Sequence, residues 1–176
     1  MAGWYLARGT GAATLVLLTL TLVLGIVNVR RWAPARLQRF VVDDLHRTLG
    51  LLVVALLGLH IAANVLDDYV SISLIDALVP FVGSYHPFWL GLGALSLDLL
   101  AALVVTSLLR GRIGLRAWRA VHWIAYACWP VAAVHGIGIG TDTSSWLLWL
   151  TIACAALVAV AVTARLADAR TPELAS

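Results

Sequence analysis

The sequence predicts an all-α integral membrane protein in which five transmembrane helices surround a helical-bundle core. Three observations carry that expectation. Of the 176 residues, 62% are hydrophobic and the mean hydropathy is +0.95, which excludes an ordinary soluble domain. Five apolar runs approach or exceed the roughly 20 residues that cross a bilayer as a helix. The cations, twelve Arg and no Lys, gather at or near the ends of those runs. The net charge of +3 is therefore topological information rather than the footprint of a nucleic-acid surface.

The spans follow in order. The first covers about residues 11–29. It is longer than the apolar region of a secretory signal, and Arg30 and Arg31 follow it, so it reads as a retained span. The second covers about 40–64, the third 88–109, the fourth 118–139 and the fifth 145–166. The whole of 1–176 reads as a single membrane domain, with 167–176 as a short cytoplasmic tail.

The connections set an orientation. Arg30, Arg31, Arg36 and Arg39 lie between spans one and two, and Arg110, Arg112, Arg116 and Arg119 between spans three and four. Arg165 and Arg170 close span five. The other connections hold Asp67, Asp68, Asp76 and Asp142 and no Arg. The positive-inside rule then puts the Arg connections and the C-terminus in the cytoplasm and the N-terminus outside, in a cell membrane, with Arg8 the one dissenting charge. Residues 67–87 are long for a connection, and a short interfacial helix is expected over 72–78, broken up by Pro80, Gly83 and Pro87. Trp32, Trp118, Trp146 and Trp149 stand near span ends, where indoles favour the headgroup region. Cys128 and Cys154 lie inside apolar runs and read as buried free thiols.

Four of the five histidines interrupt those runs. His46 and His60 are fourteen residues apart in span two, and His122 and His135 thirteen apart in span four. An ionisable side chain within a span is costly and marks a functional site. Both spans run from inside to outside, so His46 and His122 share the inner level and His60 and His135 the outer one. The two levels are separated by about 20 Å at 1.5 Å per residue. Two imidazoles are too few for a tetrahedral zinc site. They do complete the coordination of an iron already held by four porphyrin nitrogens, so two bis-histidine b-type haems are the economical occupants. Helical rotation supports span two, because fourteen residues at about 100° each end about 40° short of four full turns. Span four is less regular, since thirteen residues end about 140° short. Pro130, between its histidines, is the expected place for a kink. Gly50, Gly136 and Gly138 are candidates for making room for macrocycles, or equally for close helix contacts.

The histidine spacing, His46-Arg47, the run WRAVHWIAY around His122 and the run VHG at His135 resemble the membrane domain of the ferric reductase and NADPH oxidase superfamily. They also resemble the membrane haem subunit of bacterial methionine sulfoxide reductase systems. The resemblance covers about residues 30–165 and implies that His46 and His122 bind the inner haem, and His60 and His135 the outer one. The sequence departs from the family pattern in two ways: five spans stand where six are common, and no G-x-G-x-x-G dinucleotide motif is present.

Secondary candidates surround the histidines. Arg47 and Arg119 are placed to pair with haem propionates, or simply to anchor the inner ends of the helices. Trp129, between the two levels, is a candidate inter-haem aromatic or a packed indole. Asp98 is the acid deepest in a span, and His86 lies in the outer connection beside Tyr85. The functional expectation is a di-haem electron-transfer protein, the haem-bearing component of an oxidoreductase. Its electrons come from a separate flavoprotein or a quinol and go to an acceptor outside, with flavin or quinone on a partner or at a membrane-exposed site. A quinol-oxidising b-type cytochrome of another family, and a non-redox scaffold or metal transporter, are the rivals.

Overall fold

The computed structural model describes residues 2–30, 39–67, 70–140 and 145–169. Arg31, Trp32, Arg36, Asp68, Asp142, Arg170 and the tail 171–176, all used in the topology argument, lie outside the described residues. Every regular element among the described residues is helical: α1 Ala2–Arg30, α2 Arg39–Val65, α3 Leu74–Leu78, α4 Pro87–Leu108, α5 Arg110–His122, α6 Ala125–Gly138 and α7 Ser145–Ala169. By length and composition, α1, α2, α4 and α7 can each cross a membrane, and the bent pair of α5 and α6 brings the number to five when counted as one broken span. The chain is thus a multi-pass, all-α membrane protein. In a bilayer, helices satisfy every backbone polar group internally, which is why apolar runs of this length take that form.

Helix α1 packs along α2 and α4 along α6, while α7 leans on α1 and α6. Both main pairs are antiparallel: the N-terminal part of α1 meets the end of α2 at His60, and Trp89 at the start of α4 meets His135 near the end of α6. Leu15, Leu22, Ile26, Trp129, Ala133 and Cys154 form the buried cluster that joins α1, α6 and α7. Thr19, 1% exposed, lies within it. The Trp129 indole Nε1–H donates to Thr19 Oγ1 over 2.8 Å, while the Thr19 hydroxyl donates to the Leu15 carbonyl over 2.7 Å. Cys128 and Cys154 are buried free thiols, as expected.

Three boundaries differ from the sequence expectation. Helix α1 begins about nine residues before the expected span, carrying Trp4, Tyr5 and Arg8 with it. Helix α7 runs to Ala169, so the first residues of the expected tail are helical. The interfacial helix shrinks to α3, because Ser73 caps it: the Asp76 N–H donates to Ser73 Oγ over 3.2 Å and the Ser73 N–H to Asp76 Oδ2 over 2.9 Å.

Span four differs more. It is not one helix from residue 118, because α5 starts immediately after α4 and joins α6 at a 48° bend. The break falls at Trp123 and Ile124, not at Pro130, which α6 accommodates in its interior. The cause lies in tightened hydrogen bonds to the third preceding residue: Ile124 to Val121 (2.9 Å), Tyr126 to Trp123 (3.1 Å) and Ala127 to Ile124 (2.9 Å). Arg165 on α7 braces this turn, with its guanidinium 4.7 Å over the Trp123 ring and a hydrogen bond donated to the Tyr126 hydroxyl. Within α5, Gly114 adopts φ 80°, a left-handed backbone that other residues rarely accept, and divides the helix in two.

Trp129 gives a test of this core. Trp129→Phe removes a hydrogen bond while keeping most of the packing, and is expected to destabilise the protein by about 0.5–1.5 kcal/mol. Trp129→Ala also opens a cavity, and is expected to cost about 3–5 kcal/mol. Reversible unfolding in mixed micelles measures both; equal losses would show that the indole is not packed as described.

Candidate functional site

The four in-span histidines come from three helices, and α2 shares no packed seam with α5 or α6. His46 and His60 stand on α2, which packs along α1, whereas His122 ends α5 and His135 stands on α6, which packs along α4. His46 and His122 approach one another across the gap between these helices. The His46 and His122 rings are 6.4 Å apart between centroids, with planes at 60°. The bend in span four helps to reconcile His122 with His135. A residue wound at three per turn advances about 20° further than an α residue, so the tightened turn recovers part of the missing rotation.

Hydrogen bonds decide which ring nitrogen is available. His46 Nδ1 lies 2.9 Å from the Thr21 carbonyl oxygen, His60 Nδ1 2.8 Å from that of Ala7, and His135 Nδ1 2.7 Å from that of Trp89. A carbonyl oxygen only accepts, so each Nδ1 carries the hydrogen and donates it. In the neutral ring this tautomer leaves the lone pair on Nε2, the nitrogen through which such an imidazole binds a metal. His122 is the exception. Its Nδ1 is buried without a hydrogen-bond partner among the described residues, and its ring leans on Trp118 at 4.7 Å between centroids. Trp118 is in turn held by an Nε1–H bond of 3.3 Å to Ser107 Oγ.

The donor set suits a six-coordinate metal that brings four ligands of its own. Imidazole nitrogens bind at about 2 Å, so two rings on opposite sides of one metal place their centroids about 6 Å apart. The 6.4 Å between His46 and His122 matches that separation. Among the described residues no group of three or more His, Cys, Asp or Glu side chains comes together to hold a bare ion.

The secondary candidates divide. Arg47 and Arg119 are exposed at the same end as His46 and His122. Trp129 is taken up by the buried cluster and its bond to Thr19, so its position is accounted for by packing. Asp98 is exposed along α4. His86 is exposed where the chain turns into α4, at φ 39°, with its ring edge-on to Tyr85 at 4.6 Å. Of the three glycines singled out, Gly50 and Gly136 have nothing within 4 Å of a built Cβ, whereas Gly138 is closed by the Trp89 ring. Sequence reasoning missed the accepting carbonyls of Ala7, Thr21 and Trp89. A backbone carbonyl leaves no signature in residue type.

Comparison with known proteins gives one match. The family model of the ferric reductase like transmembrane component matches residues 9–134. His46, His60 and His122 lie within that stretch, and His135 follows its last residue. No curated protein matches. No solved structure matches.

The pairing by level can be tested without any cofactor. In a background lacking Cys128 and Cys154, a short bifunctional thiol reagent is expected to bridge His46→Cys to His122→Cys, and His60→Cys to His135→Cys. It should leave His46→Cys with His135→Cys unbridged, since helix rise separates the levels by about 20 Å. Efficient bridging across the levels, read by gel mobility, would contradict the arrangement.

Proposed function

The chain belongs to the ferric reductase-like transmembrane family, and on that premise we propose that it carries electrons across the membrane through two b-type haems. His46 and His122 hold one group and His60 and His135 the other. Haem supplies one-electron redox chemistry at its iron, tuned by its axial ligands and the polarity around it. The observation that carries the proposal is the set of Nδ1–H bonds from His46, His60 and His135 to helix carbonyls, which leaves three Nε2 lone pairs at two levels.

The chain's own contributions follow from its geometry. The carbonyls of Thr21, Ala7 and Trp89 hold the imidazoles oriented, each with its Nδ1–H directed at the backing helix. Exposed Arg47 and Arg119 at the His46/His122 end offer planar cations to propionate carboxylates. The Arg residues exposed along α5, Arg110, Arg112 and Arg116, mark this end as cytoplasmic, with the N-terminus of α1 outside. Electrons enter from a separate flavoprotein or a quinol and leave at the His60/His135 level to an extracytoplasmic acceptor.

Reconstitution tests this directly. Haem-loaded protein is placed in liposomes containing ferricyanide, and dithionite is added outside. Trapped ferricyanide is expected to bleach much faster than in empty liposomes, and His60→Ala is expected to abolish the difference. Loaded and empty vesicles bleaching at one rate would sink the proposal.

A further inference from the structure

Three glycines share one relation to the histidines. A Cβ on Gly93 would lie 2.6 Å from His135 Cε1, one on Gly11 3.0 Å from His60 Cε1, and one on Gly25 3.3 Å from His46 Cε1. Each glycine is also four residues beyond the carbonyl that accepts from the same ring: Ala7 and Gly11, Thr21 and Gly25, Trp89 and Gly93. In an α-helix that carbonyl already bonds the N–H of the residue four ahead. Its second lone pair is reached from the side, past the position where that residue's Cβ would stand. A Cβ there would collide with the ring at Gly93 and crowd it at Gly11 and Gly25.

We propose that Gly11, Gly25 and Gly93 are positioning residues. Each forms a notch in its helix that seats one imidazole against a backbone carbonyl and sets the direction of its Nε2. The proposal rests on the haem reading above for its purpose and on the contacts for its existence. Gly11 and Gly25 are fourteen residues apart, like His46 and His60, so the antiparallel pair α1 and α2 repeats one device twice. On the ligand helices Gly50, Gly58 and Gly136 meet nothing within 4 Å, and the glycines closed by other side chains, Gly91 by Phe81 and Gly138 by Trp89, stand beside no accepting carbonyl of this kind.

The exception follows the same rule. Thirteen residues separate His122 from His135, and thirteen beyond Gly93 stands Thr106, not a glycine. Its hydroxyl donates over 2.6 Å to the carbonyl of Ala102, the residue in register with Trp89. The fourth seat is thus filled by a side chain from its own helix, and His122 Nδ1 is the one left without a partner among the described residues.

The test is a Gly→Ala series at positions 11, 25 and 93, with Gly50→Ala and Gly136→Ala as controls. Alanine favours helix over glycine, so a loss is not explained by weaker helices. In the haem-free chain, histidine 15N NMR is expected to show Nδ1–H tautomers at His46, His60 and His135. Gly93→Ala should displace the His135 signals most, Gly11→Ala those of His60 less, and Gly25→Ala those of His46 least, with the controls silent. In the loaded protein, Gly93→Ala is expected to lose one of two haems, and Gly11→Ala to shift one of two low-spin EPR signals. Unchanged histidine spectra in both Gly93→Ala and Gly11→Ala would overturn the proposal. A wild-type chain that takes up no haem would overturn the functional reading alone, and the NMR series would still decide the seating.

Discussion

The arrangement depends on one interaction, the hydrogen bond from an imidazole Nδ1–H to a main-chain carbonyl of a neighbouring helix. An imidazole within an apolar span loses its hydration, and leaving its N–H unpaired would cost a few kcal/mol. Three of the four in-span histidines meet this by using the spare lone pair of a helical carbonyl. That choice fixes the tautomer. It also assigns each ligand helix a backing helix, α1 for α2 and α4 for α6. The histidine-bearing helices α2 and α6 are not packed along one another, and the His46 and His122 rings approach across the space between α2 and the end of α5.

The bend in span four belongs to the same scheme. A straight helix would turn His122 and His135 to different sides, and the tightened turn at Trp123 and Ile124 removes part of that conflict. Arg165 on α7 holds the turn at Trp123 and Tyr126, and Thr19 on α1 holds Trp129 of α6.

Much of this was legible in the residues. Apolar run lengths located the spans, because the thickness of a bilayer leaves little choice of element. The spacing of fourteen put His46 and His60 on one face, and shared direction set His46 at the level of His122, whose ring it approaches. The break at Trp123 was not legible, since proline is the kink signal and no residue type announces a turn of tightened hydrogen bonds. The histidine partners were hidden for a related reason: Ala7, Thr21 and Trp89 act through their backbones. The glycines that matter lie on the backing helices, and a search confined to the ligand helices found Gly50 and Gly136, which face open space.

Haem content per chain bears most directly on the central claim. Purified protein loaded with haem and assayed as the pyridine haemochrome is expected to hold two haems b. His46→Ala and His122→Ala should each leave one spectrum, and His60→Ala and His135→Ala should each leave the other, so that losses sort by level and not by helix. Full haem content in all four variants, or losses that follow the helix rather than the level, would contradict the paired-imidazole site.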